Sequence, residues 1–168
     1  MSILRRFRAV DASEVMPGLL VGSAPNAGQR ARLTRRGVTF VVDLRAEVAN
    51  EGHWPTGIVV RRMPVVDRRA PDPDELADLA TWVVGAMRHG EVVLIHGHAG
   101  IGRAPTAACA VLIELGYTVA ESYNAVRDAR PMIAPTDAQI AALHLLERSA
   151  AGHQLSGASV QGPLGLPA

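Results

Sequence analysis

The sequence predicts an α/β fold in which helices flank a central, mostly parallel sheet. Two observations support this prediction. Short runs of continuous apolar and β-branched residues, typical of strands buried on both faces, alternate with segments of helical period. The length of 168 residues suits a single domain, and 48% hydrophobic with 20% charged residues is the composition of a globular chain.

The first half of the chain alternates strands with helices. A strand at 18–22 precedes a short helix that Asn26 is expected to cap. Two buried strands follow at 38–44 and 58–66. A helix with one apolar face begins at Pro73.

The second half is organised around a glycine-rich segment. A further buried strand at 91–96 runs directly into that segment, and the run 104–115 behind it is apolar on all sides. Such a run indicates a helix at the centre of the domain. Capping-box patterns at 118–121 and 136–139 predict the starts of two more helices.

The chain divides into three predicted segments. Residues 1–14 form an N-terminal segment and 15–150 form the domain. Residues 151–168 are rich in small residues without periodicity, and we expect a disordered tail there. The N-terminus lacks the apolar stretch of a leader peptide, and no run approaches the ~18 residues of a membrane span. We therefore expect a cytoplasmic protein without membrane insertion.

Composition excludes several classes of function. Seventeen basic and sixteen acidic residues leave a net charge of +1, too little for a dedicated nucleic-acid binder. Every basic residue is arginine, which excludes a Schiff-base lysine and the lysine of a nucleotide-binding P-loop. The single cysteine, Cys109, permits neither an internal disulfide nor a thiolate zinc cluster.

The strongest local feature is the glycine-rich loop between the strand at 91–96 and the buried helix. It consists of Gly97, His98, Ala99, Gly100, Ile101, Gly102 and Arg103. Such a loop directs successive backbone N–H groups inward, and the helix dipole adds partial positive charge. Arg103 offers a planar fork for bidentate phosphate contact. We predict that residues 97–103 bind phosphate; the alternative is an ordinary strand-to-helix turn with a surface arginine.

The segment 92–106 resembles the loop of the dual-specificity branch of the cysteine-dependent protein phosphatases, which reads His-Cys-x5-Arg-Ser/Thr. Its Ala-Gly-x-Gly-Arg-Ala-Pro form also resembles the loop of the glucan phosphatases in that group. Further segments resemble the same family, at 16–23, 38–45, 63–67 and 123–131. The resemblance implies the fold predicted above, no cofactor, and a phosphorylated protein, lipid or glycan as ligand.

The resemblance also implies roles for individual residues. In the family a cysteine thiolate attacks phosphorus, an aspartate about thirty residues upstream protonates the leaving oxygen, and an arginine holds the phosphoryl oxygens. Asp67 then takes the role of general acid, with Asp72 and Asp74 as alternatives, and Arg103 that of the arginine. The cysteine position is occupied by Gly97, which has no nucleophile.

No other residue is an obvious replacement for the missing thiol. Cys109 lies inside the buried apolar helix and is expected to be inert. His98 would require a phosphohistidine route, which we consider remote. His96 and His98 lack a third ligand nearby, so no metal site is predicted.

These observations lead to a functional hypothesis with two alternatives. The chain is predicted to be a phosphate-binding pseudophosphatase of the dual-specificity fold, because losing a nucleophile costs about 10⁴–10⁶ in rate in comparable enzymes. An active phosphomonoesterase is the alternative if Gly97 replaces a native cysteine or a noncysteine route exists. The spacing Gly97-x4-Gly102 leaves a nucleotide-binding regulator as a distant third reading.

Overall fold

The computed structural model of the chain describes residues 10–157, and the side chains of 10–153. The described residues form one central sheet with helices on both of its faces. The elements in chain order are β1 (Ala12–Met16), β2 (Leu19–Gly22), α1 (Ala27–Arg35), β3 (Phe40–Arg45), β4 (Val59–Val65), α2 (Pro73–Arg88), β5 (Val93–His96), α3 (Arg103–Glu114), α4 (Val119–Ala129) and α5 (Asp137–Gly157).

The sheet is mixed, with strand order β1-β2-β5-β3-β4. The pairs β2–β5, β5–β3 and β3–β4 are parallel, whereas β1 runs antiparallel to β2. The inner strands β2 and β5 are buried along their whole length, which accounts for their continuous apolar sequences. The predicted α/β class and the mostly parallel sheet flanked by helices are therefore confirmed.

Helices cover the two faces of the sheet unequally. Four helices, α2 to α5, pack their apolar residues on one face, with α3 in the middle. The other face is covered by α1, through Leu33, together with Trp54 from the loop after β3. All residues of α3 from Arg103 to Ile113 are buried, as the all-apolar run predicts.

The predicted helix starts are confirmed by reciprocal capping hydrogen bonds. Asn26 caps α1 and Thr118 caps α4, each with the side chain of the third helical residue bonded back to the cap. The same exchange occurs at α5, where the backbone N of Thr136 donates to Gln139 Oε1 over 2.9 Å. Asp72 caps α2 by accepting from the backbone N of Asp74 over 2.9 Å.

The ordered elements extend beyond the predicted domain limits of 15–150. Strand β1 begins at Ala12 because its backbone pairs with β2, and its polar, half-buried sequence gives little strand signal. Helix α5 continues through 151–157, so the first part of the predicted tail is helical. The remainder of the tail, 158–168, lies outside the described residues. Across residues 10–157 we find no helix whose length and hydropathy would let it cross a membrane.

The parallel strands determine where the site lies. Gly22 and Asp43 are both paired with His96 in the sheet, and Arg45 is paired with Val65. The carboxyl ends of β2, β3, β4 and β5 therefore meet at one edge. The chain segments that follow these strands converge there, as is general for ligand sites of α/β sheets.

Candidate functional site

The glycine-rich loop joins β5 to α3, and each of its carbonyls from 97 to 102 has a hydrogen-bonding partner. The donors belong to the end of β5, to the segment after β2, to the segment after α4 and to α3. Side-chain nitrogens bond three of the carbonyl oxygens: His96 Nδ1 lies 3.0 Å from that of Gly97, Arg130 Nη2 3.0 Å from that of Ala99, and Arg130 Nε 2.7 Å from that of Gly100. Backbone nitrogens bond the other three: Ala24 N lies 2.9 Å from the carbonyl oxygen of His98, Ala134 N 2.8 Å from that of Ile101, and Thr106 N 3.0 Å from that of Gly102.

The backbone N–H groups of the same loop have no such partners. Among the described residues, none of the N–H groups from His98 to Arg103 has a hydrogen-bond acceptor. Gly102, at the N-cap of α3, has no side-chain capping bond either, so the helix dipole adds to the positive potential. The residues that carry these unpaired N–H groups line one cleft, an arrangement suited to an anion nest.

Arg130, the last residue before the proline that follows α4, holds this loop through hydrogen bonds to two of its carbonyls. Its side chain is 2% exposed, and it forms two bonds with Asp11, of 2.8 and 3.0 Å. The hydrogen bond from Arg130 is the main reason that the pKa of Asp11 is lowered. Gly100 has a φ of +68°, and a Cβ there would lie 2.6 Å from the Gly22 carbonyl, so only glycine fits.

Arg103 is held at the bottom of the site by a carboxylate that the sequence analysis missed. Glu47 accepts from Nη1 over 2.7 Å and from Nη2 over 2.8 Å, and the Val65 carbonyl accepts from Nη1 over 2.9 Å. The hydrogen bonds from Arg103 lower the pKa of Glu47 to about 2, so this carboxylate stays ionised near neutral pH. Within the described structure Nε of Arg103 has no acceptor and lies toward Gly97.

The three candidate aspartates differ in position. Asp67 Oδ1 lies 3.5 Å from Arg103 Nη2 and accepts from the backbone N of Arg68 over 3.0 Å. Asp72 is used as the cap of α2, and Asp74 lies in the first turn of that helix. Of the three, Asp67 alone is among the described residues that line the cleft, and its role as general acid stays a prediction.

A cleft of about 330 Å³ opens above the loop. It brings together all the residues predicted for the site and adds five that were not predicted. Its lining consists of Asp67, Arg68, Gly97, His98, Ala99, Gly100, Ile101, Gly102, Arg103, Ala104, Ala134, Thr136 and Gln139. Thr136 and Gln139 belong to the capping box of α5; the sequence marked them as a helix start but gave no sign of their place beside the loop.

The backbone at Gly97 does not require glycine. Its φ is not in the left-handed region. A Cβ built there would be in ordinary contact with its surroundings, 3.6 Å from Arg103 Nε and 4.0 Å from the backbone N of Ala104. A side chain at Gly97 would therefore project between the arginine and the start of α3 without displacing either.

The other candidate nucleophiles lie in different surroundings. Cys109 is fully buried in α3, and burial raises the pKa of its thiol to about 12. His96 is also fully buried, and burial lowers its pKa, so the ring is neutral at pH 7. His98 lines the cleft and is exposed.

Comparison with known proteins gives consistent matches. A family model described as the dual specificity phosphatase catalytic domain matches residues 19–149. Dual specificity protein phosphatase 1B of Arabidopsis thaliana is 29% identical over 145 residues, which cover 85% of this chain and 86% of that protein. Dual specificity protein phosphatase 4 of Homo sapiens is 28% identical over 132 residues, 73% of this chain. The chain spans 31% of that human relative's length.

A solved structure agrees with these sequence matches. The crystal structure of Tk-PTP in the active form superposes with a TM-score of 0.76 at 26% sequence identity. The superposition covers 83% of this chain and 97% of the other. The residues matched by the family model, 19–149, include β2 to β5, α1 to α4 and the loop between β5 and α3.

The burial of Cys109 gives a first testable prediction. The folded protein should not react with a thiol reagent such as dithionitrobenzoate at pH 8, because its thiol is protonated and enclosed. After denaturation in guanidinium chloride, one thiol per chain should react. Rapid reaction of the native protein, with its circular dichroism unchanged, would contradict the burial described for Cys109.

The second prediction concerns Arg130. The substitution Arg130→Met should lower the free energy of unfolding by roughly 2–4 kcal/mol, because it leaves loop carbonyls and Asp11 without their donor. Urea denaturation measures this change. Arg127→Met is the matched control, since Arg127 is exposed on the same helix, and it should change the value by less than about 0.5 kcal/mol. Equal effects of the two substitutions would contradict the role given to Arg130.

Proposed function

The chain belongs to the dual specificity phosphatase family, and on this premise we propose that it binds phosphate monoesters without hydrolysing them by the cysteine-dependent route. The observation that carries the proposal is the set of free N–H groups from His98 to Arg103, aimed into a cleft while the loop carbonyls are bonded elsewhere. A tetrahedral oxyanion is the ligand that such a loop accommodates.

The positive groups of the cleft favour a tetrahedral oxyanion as its ligand. Glu47 accepts from both Nη1 and Nη2 of Arg103, so Nε is the nitrogen of this guanidinium that the described structure leaves for a ligand. The loop amides and the dipole of α3 provide the remaining attraction. Asp67 lines the cleft and Glu47 is paired with Arg103 beneath it, and these two negative charges limit the affinity for a dianion.

The absence of turnover follows from the residues around the phosphate position. Gly97 stands where the family resemblance places the nucleophile, and it has no side chain. Cys109 is enclosed in α3 with its thiol protonated, so it cannot replace the missing group. Phosphate monoesters hydrolyse very slowly without catalysis, so a ligand bound in this cleft would be retained as the ester.

We propose that the chain retains the other two catalytic groups of the family, the arginine and the general acid. Two observations support this: Asp67 Oδ1 lies 3.5 Å from Arg103 Nη2, and the space beside Gly97 accepts a Cβ. A thiol at this position would lie near Arg103 and the free amides, surroundings that lower a cysteine pKa. Restoring the thiol is therefore a fair test of whether Gly97 alone accounts for the lack of turnover.

The proposed partner is a phosphorylated protein. The named relatives are called protein phosphatases, and this preference rests on that analogy alone. A phosphorylated lipid or glycan remains the alternative. The cytoplasmic location and the lack of a nucleic-acid partner stay predictions from the sequence.

Oxyanion binding is the third prediction. Isothermal titration should detect binding of tungstate and of phenyl phosphate to the unmodified chain. Arg103→Met should weaken both affinities about tenfold or more, because it removes a charged donor. Asp67→Asn should strengthen them about threefold, because it removes a negative charge beside the anion.

Arg127→Met serves as the control for loss of one positive charge, since Arg127 is exposed on α4 and does not border the cleft. It should leave both affinities unchanged. If the unmodified chain shows no binding at millimolar ligand, the proposed function is wrong.

Activity after restoring the thiol is the fourth prediction. Gly97→Cys should hydrolyse an aryl phosphate at least about 10⁴ times faster than the unmodified chain, the order of magnitude that a nucleophile contributes. Gly97→Ala is the matched control, because it fills the same space without a thiol, and it should gain nothing. Turnover by the unmodified chain well above background would instead favour the active phosphomonoesterase.

A further inference from the structure

The segment that carries Asp67 has an unusual backbone. Residues 66–69 form a tight turn in which the N–H of Arg69 donates to the Val66 carbonyl over 3.0 Å. Arg68 has a φ of +64°, and no other non-glycine residue of the described chain has a positive φ. This conformation is unfavourable for a residue with a Cβ, so the turn needs contacts from outside to persist.

Those contacts come from the start of α5. The Arg68 carbonyl accepts from Thr136 Oγ1 over 3.3 Å, and the Arg69 carbonyl accepts from Gln139 Nε2 over 3.1 Å. Gln139 is fully buried, and its Oε1 accepts from the backbone N of Thr136. Its amide therefore uses the oxygen to cap the helix and the nitrogen to hold the turn.

The same side chain also lies beside the last glycine of the glycine-rich loop. A Cβ built on Gly102 would lie 3.2 Å from Gln139 Oε1, closer than ordinary contact. Gln139, in the first turn of α5, thus lies next to both the end of the loop and the turn that carries Asp67. It is one of the residues that line the cleft.

Capping alone does not require a glutamine here. In the box of α4 the third helical residue is Glu121, whose carboxylate accepts from the backbone N of Thr118 over 2.8 Å. In the box of α1 the residue is Gln29, which makes only the reciprocal pair with Asn26 in the described structure. Gln139 differs from both because its N–H bond reaches another segment of the chain.

We propose that Gln139 is a positioning residue that keeps the Asp67 turn over the phosphate cleft. The Asp67 side chain is 72% exposed, and its own contacts are the backbone N of Arg68 and the 3.5 Å ion pair with Arg103. Its location is therefore determined mainly by the backbone of the turn. This inference rests on the proposed function for its consequence, but the tether itself is measurable without any ligand.

Amide hydrogen exchange tests the tether directly. Gln139→Glu keeps the oxygen that caps α5 and removes the donor to Arg69. In this variant the N–H of Arg69 should exchange about tenfold faster than in the unmodified chain, because the turn opens more often. The N–H of Ile140, which donates to the Thr136 carbonyl, should change by less than about twofold, because the cap remains.

Gln29→Glu is the matched control, since it makes the same change in a capping box with no tether, and it should alter neither rate. Gln139→Met removes cap and tether together without adding charge, so both the Arg69 and the Ile140 amides should exchange faster. An Arg69 amide that exchanges at the original rate in both Gln139 variants would overturn the proposal.

A kinetic comparison separates positioning from a structural role. In the Gly97→Cys background, adding Gln139→Met should slow hydrolysis of phenyl phosphate about tenfold, because its leaving group needs a proton from Asp67. Hydrolysis of dinitrophenyl phosphate, whose leaving group needs none, should change less than about twofold. Equal losses for both esters would overturn the positioning role. If Gly97→Cys is inactive, the proposed function loses support while the exchange result still decides the tether.

Discussion

The loop between β5 and α3 can offer its N–H groups to an anion because its carbonyl groups are bonded in the opposite direction. Arg130 contributes most to this arrangement, since one buried guanidinium binds the carbonyls of Ala99 and Gly100 and the carboxylate of Asp11. A buried carbonyl without a partner is costly, so these bonds keep the peptide units of the loop in one orientation. The cleft, the free amides and the place of Arg103 all depend on that orientation.

Binding and chemistry are separable in this site. The binding part consists of the loop amides and Arg103, which is fixed by Glu47 and the Val65 carbonyl. The chemical part, in the family mechanism, adds a nucleophile and an acid. The proposed function places the missing nucleophile at Gly97, where neither φ nor the surrounding packing excludes a side chain. Under the proposed function, the chain keeps the recognition part of the family's site without its turnover.

The sequence predicted the elements whose signals are local. The strands at β2, β3 and β5, the all-apolar helix, the Asn26 cap of α1 and the capping boxes of α4 and α5 are confirmed, because each depends on neighbours within a few residues. The prediction that the strand at 58–66 is buried on both faces is wrong, because β4 lies at the edge of the sheet and is partly exposed. Asp11 and Glu47 were missed because they meet Arg130 and Arg103 across 119 and 56 residues of chain. Gln139 was recognised as a cap, but its bond to Arg69 exists only once α5 lies beside the turn after β4.

A nuclear magnetic resonance titration with inorganic phosphate tests the central claim most directly, because it observes each loop amide separately. Phosphate bound by the loop should move the N–H resonances from His98 to Arg103 downfield and saturate, while the amide of Gly116, beyond the far end of α3, stays in place. The same loop resonances should remain still when chloride replaces phosphate at equal ionic strength. Phosphate that leaves the loop amides unmoved, or moves them no more than chloride does, would contradict the account.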